Sequence, residues 1–178
     1  MRNRILRGLA LWVVCLASSV AANAACVPSD PGERCNDDRL AATVAGLLSP
    51  SELRFVSGGL HHHTRGLMVA ANELIWQRAK AQSRDPALRA IAAQMLIDAY
   101  LATGLDAPAI ALFDTLDASA QKHVTTGPIV FGTFERVDTL YVEASPQLTA
   151  AGLAVAYAGA GRTAESDDLV IRAELPVD

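Results

Sequence analysis

The chain has 178 residues, of which 15 are Lys or Arg and 19 are Asp or Glu, so its formal net charge is −4 at neutral pH. Nucleic acids and anionic lipid surfaces select basic patches, and an acidic chain is a poor match for either. A hydrophobic content of 51% over this length is enough for one domain with a buried core.

Residues 1–24 have the pattern of a secretory signal peptide. Three arginines form a basic head, Gly8–Ala22 is an almost wholly apolar run, and Ala22-Asn23-Ala24 has the small residues that signal peptidase requires. The apolar run is too short to span a membrane. We therefore expect cleavage after Ala24 and export across the inner membrane into the periplasm.

Cleavage would change the charge balance of the chain. The remaining 154 residues carry 12 basic and 19 acidic side chains, a formal charge of −7. A basic protein or peptide is then the better electrostatic match for a partner. No later run reaches 18 uncharged apolar residues, so the sequence predicts no further membrane insertion.

Two cysteines remain after the leader, in the segment 25–36. The residues between Cys26 and Cys35 include two prolines and a glycine, which favour a tight loop, and an exported protein meets an oxidising compartment. We predict a disulfide that closes this loop and stabilises the fold by about 2.5 kcal/mol. Lipidation of Cys26 is an alternative, but Asn23 stands where a lipoprotein needs an aliphatic residue. The spacing does not suit Cys-x-x-Cys redox or metal chemistry.

Helix start signals recur through residues 37–178 and predict a single all-α domain. Apolar residues at helical spacing predict a first helix at the beginning of this segment. Ser49 and Glu52 then form a capping box around a proline, and the short helix that they begin should stop at Gly58-Gly59. A longer helix should run from Leu60 to Ser83.

Five further helices are predicted in the second half. Asp85-Pro86 begins one that runs to about Thr103, and Asp106 begins one that ends near Leu116. Ser145-Pro146 begins another, and Gly161 turns into the last.

The remaining helix is predicted over Pro128–Val142. Its apolar residues Val130, Phe134, Val137 and Tyr141 repeat at helical spacing. The stretch also contains β-favouring residues, but the proline and the helical spacing favour a helix.

Two segments 57 residues apart share a pattern of large, aromatic, glycine and small residues. The positions are Leu96, Tyr100, Gly104, Ala109 and Phe113, and then Leu153, Tyr157, Gly161, Ser166 and Val170. Each predicts a helix, a turn closed by glycine in the left-handed conformation, and a second helix packed closely on the first.

These segments, at about residues 90–117 and 147–174, resemble tetratricopeptide repeats. The family's tryptophan position holds Ala93 and Ala150, and the 57-residue offset exceeds the family's period of about 34 residues. We therefore expect helical hairpins packed as a small bundle or as a short irregular α-solenoid, preceded by the disulfide-closed loop.

The resemblance implies a groove lined by the first helix of each hairpin. The positions that match the family's groove-facing residues are Gln94, Asp98, Leu101, Leu148, Ala151 and Val155. They mix polar and apolar side chains and include no basic clamp for a carboxylate terminus. An extended apolar peptide or a partner helix would suit such a groove.

The sequence offers few candidates for chemistry. His61, His62 and His63 invite a metal ion, but neighbouring helix residues point about 100° apart, and the positions three and four further on carry no metal ligand. His123 is predicted to lie solvated between helices. Trp76 is predicted to anchor the core rather than to bind a ligand.

Glu135 is the one carboxylate that we considered for catalysis. It lies near Asp138 on the predicted Pro128–Val142 helix and near Glu143 at the end of that helix, where a carboxylate pair could support hydrolysis. Such residues more often form the solvated face of a helix. The sequence therefore predicts no enzyme, no bound metal and no cofactor.

Three functions remain open from the sequence. The first is an exported module that binds another protein or peptide as an envelope scaffold or assembly factor. The second is a periplasmic inhibitor or immunity-type protein that neutralises a basic toxin or a cell-wall hydrolase. The third is a hydrolase or metal-binding protein centred on Glu135 or on His61 to His63.

Overall fold

A computed structural model describes residues 35–36, 38–61, 65–135 and 139–174. The predicted signal peptide lies outside the described residues. So do Cys26 of the predicted disulfide and His62 and His63 of the histidine cluster.

The described part of the chain is mostly helical with a small sheet. Its elements in chain order are β1 (Cys35–Asn36), α1 (Asp38–Gly46), α2 (Pro50–His61), α3 (Arg65–Gln82), α4 (Pro86–Ala102), α5 (Asp106–Asp114), α6 (Ala118–Thr126), β2 (Val130–Glu135), β3 (Thr139–Ala144), α7 (Pro146–Gly159) and α8 (Thr163–Arg172).

The predicted helix over Pro128–Val142 is wrong, although the described part of the chain is otherwise mostly helical, in broad agreement with the predicted all-α class. Strands β2 and β3 form an antiparallel hairpin in this segment, and β1 pairs in parallel with β2. Leu140, Val142 and Ala144 alternate along β3 and are all buried. They pack in a core cluster with α1, α2 and α3, and this burial decides for the strand over the helical spacing.

Glycine at the end of α2 serves close packing rather than helix termination. The helix continues through Gly58-Gly59 to His61, so the predicted stop is wrong. A Cβ atom added to Gly59 would lie 3.0 Å from the Leu67 carbonyl oxygen and 3.2 Å from the Ala71 Cβ. The glycine therefore lets α2 approach α3.

Two predicted helix starts are confirmed by their hydrogen bonds. The Ser49 N–H donates to Glu52 Oε2 at 2.8 Å, and the Glu52 N–H donates to Ser49 Oγ at 3.4 Å, which is the capping box of α2. The Ala87 N–H donates to Asp85 Oδ1 at 2.9 Å at the start of α4. Glu52 also forms an ion pair with Arg78 and so connects α2 to α3.

Helix α4 lies between two core clusters. Its residues Leu88, Ile91 and Met95 pack in the cluster formed with α1, α2, α3 and the sheet. Its Ile97 packs in a second cluster formed with α5, α6, α7 and α8. The two predicted hairpins, α4 with α5 and α7 with α8, meet in that second cluster.

The turns of the two hairpins have the same backbone conformation. Gly104 has φ +73° and Gly161 has φ +75°, which confirms the predicted left-handed glycines. The Leu105 N–H donates to the Tyr100 carbonyl and the Arg162 N–H to the Tyr157 carbonyl, both at 2.9 Å.

Replacing the turn glycine should destabilise the protein. Gly161→Ala forces an L side chain into the left-handed region, and we expect the free energy of unfolding to fall by about 1 kcal/mol. Gly159→Ala is the matched control, because Gly159 ends α7 with an ordinary φ and an added Cβ meets nothing within 4 Å. It should leave stability unchanged or raise it. Urea unfolding curves that shift equally for both variants would contradict this account of the turn.

Candidate functional site

The structure separates the six predicted groove residues into an inner and an outer group. Gln94 is only 1% exposed, and its Nε2 donates to Thr149 Oγ1 at 3.0 Å. Thr149 Oγ1 in turn donates to Asp98 Oδ1 at 2.7 Å. Gln94 and Asp98 therefore connect α4 to α7, and their bonded side chains face the neighbouring helix.

Leu101 belongs to the same inner group. A Cβ atom added to Gly152 of α7 would lie 2.8 Å from Leu101 Cδ1, so the glycine leaves room for this leucine. All three α4 positions of the predicted groove thus contact α7. The first helices of the two hairpins pack directly against each other at these residues.

Asp98 is a largely buried carboxyl that accepts a hydrogen bond from the Thr149 hydroxyl. Its pKa is raised to about 7, chiefly by burial; the hydrogen bond from Thr149 opposes this shift, and the nearby Glu143 adds to it. Asp98 therefore changes its charge near neutral pH. A carboxyl of this kind can exchange protons, but the geometry around it gives it a helix-connecting role.

The outer group forms an exposed apolar row on α7. Leu148 is 72% exposed and Val155 is 73% exposed, and the partly exposed Ala151 lies between them. Their spacing of three and four residues places them on one side of the helix. We call Leu148, Ala151 and Val155 the α7 outer face.

Helix α7 has no charged residue in its 14 positions. Its inner side is buried through Thr149, Leu153 and Tyr157, among others. A helix that is apolar on all sides is normally covered on all sides. The exposure of Leu148 and Val155 therefore leaves an apolar side of α7 uncovered.

The structure describes only part of each predicted chemical cluster. Glu135 ends strand β2 rather than lying within a helix, and Asp138 lies outside the described residues. His61 ends α2. Across residues 35–36, 38–61, 65–135 and 139–174, no group of three His, Cys, Asp or Glu side chains could hold a metal ion.

A cleft of about 620 Å³ between α3, α4, α5 and α6 was not predicted. We call it the α3–α6 cleft, and its main lining side chains are Trp76, Lys80, Arg89, Leu112, Leu116 and His123. These residues come from four separate segments. Trp76 does pack against the core, as predicted, but part of its ring is exposed to the cleft.

His123 lies on α6, so the prediction that it sits between helices is wrong. The prediction failed because α6 itself was not recognised. Asp117 was the available signal, since its Oδ1 accepts the Ala120 N–H at 2.9 Å and caps this helix. Burial lowers the pKa of His123, and the charge of Asp85 opposes the shift.

Comparison with protein-family models, curated proteins and solved structures finds no match for this chain. Within the described residues, no helix is both long enough and apolar enough to cross a membrane.

Asp98 should make the stability of the protein depend on pH. Its pKa is about 7 when folded and near 3.8 when unfolded, so the unfolded chain releases this proton first as the pH rises. Asp98 therefore favours folding at low pH and loses this contribution between about pH 4 and pH 7.

Asp98→Asn removes this titration and keeps an oxygen for Thr149. Relative to the unsubstituted protein, the variant should gain about 2 kcal/mol of unfolding free energy between pH 5 and pH 7.5. Asp167→Asn makes the same charge change at an exposed position of α8 and serves as the control. If Asp98→Asn differs in stability from the unsubstituted protein by the same amount at pH 5 and at pH 7.5, the raised pKa of Asp98 is contradicted.

Proposed function

We propose that this chain is an exported protein-binding module that holds an apolar segment of a partner protein on the α7 outer face. The observation that supports this most directly is the exposure of Leu148 and Val155 on a helix without charged residues. Contiguous exposed apolar residues favour association, because water is released when a partner covers them.

The two exposed apolar side chains can anchor a specific contact. Complete burial of a Leu or Val side chain contributes about 1.5–3 kcal/mol, so two such residues can form the centre of an interface. The inner side of α7 is fixed by buried Leu153 and Tyr157, and Tyr157 donates a hydrogen bond to Asp114. A face held in this way needs little ordering when a partner binds.

The geometry favours a partner helix or extended segment with basic residues beside its apolar row. A straight row at positions 148, 151 and 155 suits side chains presented at helical spacing. Glu143 is exposed just before α7 and lies close enough to Asp98 to raise its pKa. The Glu143 carboxylate would complement a basic residue of the partner near the start of α7.

An envelope scaffold and a periplasmic inhibitor would use the same surface. The acidic balance of the chain favours a basic partner in either case. They differ in the partner, because an inhibitor would bind one toxin or hydrolase and abolish its activity.

Site-directed crosslinking tests the position of the interface. A photoreactive residue at Val155 should capture a partner protein in cells, and the same residue at the exposed Gln77 of α3 should not. The captured protein is identified by mass spectrometry, purified and used for affinity measurements. Capture from Gln77 alone would contradict the proposed face.

Polar substitution of the α7 outer face should weaken binding without unfolding the protein. Leu148→Gln with Val155→Gln should change the free energy of unfolding by less than about 1 kcal/mol, because both positions are exposed. Its affinity for the captured partner should fall at least about tenfold. Lys122→Gln on α6 is the control and should bind normally.

If the captured protein is a second copy of this chain, sedimentation will show a dimer that the double variant loses.

A further inference from the structure

We propose that the α3–α6 cleft is a second binding site, which takes a small organic acid with an apolar body and a single carboxylate. The site uses no residue of the α7 outer face. The test of this site therefore does not depend on the proposed protein partner.

The size and floor of the cleft suit a small molecule. Its volume of about 620 Å³ lies within the range of about 300–1,000 Å³ that is typical of small-ligand pockets. Trp76 of α3, Leu112 of α5 and Leu116 after α5 supply apolar surface, and each of these side chains is only half-buried. An apolar ligand body would cover the remaining exposed area.

Two unpaired cations lie at the edge of this apolar floor. Lys80 Nζ is 5.0 Å from the centre of the Trp76 ring. Neither Lys80 nor Arg89 forms an ion pair with a described residue, although both line the cleft. A carboxylate bound in the cleft would make charge-assisted hydrogen bonds with the cation that it reaches.

The nearby acids are already engaged at helix starts. Asp117 lines the cleft, and its Oδ1 accepts the Ala120 N–H of α6. Asp85 accepts the Ala87 N–H of α4 in the same manner. The positive end of each helix dipole offsets the charge of its capping acid, which leaves Lys80 and Arg89 to attract an anion.

Two neutral polar groups could orient the carboxylate. Ser119 lines the cleft, and its hydroxyl makes no hydrogen bond to a described residue. Burial lowers the pKa of His123 and so favours its neutral imidazole, which can donate one hydrogen bond. The number of polar groups is small, as expected for a site that fixes the orientation of a mainly apolar ligand.

Three probes with the same apolar body test the charge preference. Octanoate, octylammonium and 1-octanol are titrated into the full chain carrying Trp12→Phe, in which Trp76 is the only tryptophan. Octanoate should change the Trp76 fluorescence saturably. Its dissociation constant should be at least about tenfold lower than those of the other two probes. Equal affinities for all three would overturn the proposal, because the cleft would then recognise only apolar surface.

A matched pair of variants tests the two cations. Lys80→Gln with Arg89→Gln should weaken octanoate binding at least about tenfold, as read from the midpoint of the titration. Arg84→Gln with Lys122→Gln removes the same charge from exposed positions outside the cleft lining and should change the affinity less than about twofold. Equal losses in the two pairs would overturn the assignment of Lys80 and Arg89.

A peptide arm distinguishes a free acid from the end of a protein chain. An acetylated pentapeptide with a C-terminal leucine carries the same carboxylate on a larger body. Binding of this peptide without measurable binding of octanoate would overturn the small-ligand proposal in favour of a protein C-terminus. Binding of octanoate by the Leu148→Gln, Val155→Gln double variant would show that the two sites are separate.

Discussion

The burial of α4 on two sides is the constraint on which the rest of the structure depends. Ten of its 17 residues are buried, and the buried set includes several alanines that allow close approach by neighbouring helices. One side packs with α1, α2, α3 and the sheet, and the other packs with the four later helices. Helices of the two clusters are therefore positioned relative to each other through α4, including α3 at the cleft and α7 at the exposed apolar face.

A polar contact inside this apolar packing sets the orientation of α7. A buried amide or hydroxyl without a partner costs about 1–3 kcal/mol, so Gln94 and Thr149 must face each other. Once Thr149 points towards α4, the residues at positions 148, 151 and 155 must point away from it. The exposure of the α7 outer face is thus a consequence of the buried contact. Asp98 shares that contact, which gives pH some influence on the same helix.

The sequence predicted the features that depend on local chemistry. The turn glycines and the cap at Asp85 each follow from a residue type at a fixed position. The hairpin β2–β3 was missed because its segment carries both periodicities: Val130 and Phe134 fit a helix, whereas Leu140 and Val142 alternate as in a strand. Only packing against distant helices decides between them. The burial of Gln94 and the formation of the cleft likewise depend on contacts between residues far apart in the chain.

The two proposed sites differ in charge, and this difference prevents them from sharing occupants. Lys80 and Arg89 at the cleft would repel a basic segment, whereas helix α7 itself carries no cation that could hold a carboxylate. A basic amphipathic helix and a small apolar acid would therefore each be rejected by the other site, since unfavourable charge contributes to specificity as much as favourable contact does. Higher salt should reduce the difference in affinity that each site shows between basic and acidic ligands, because salt screens the exposed charges. It should weaken the apolar part of either contact less.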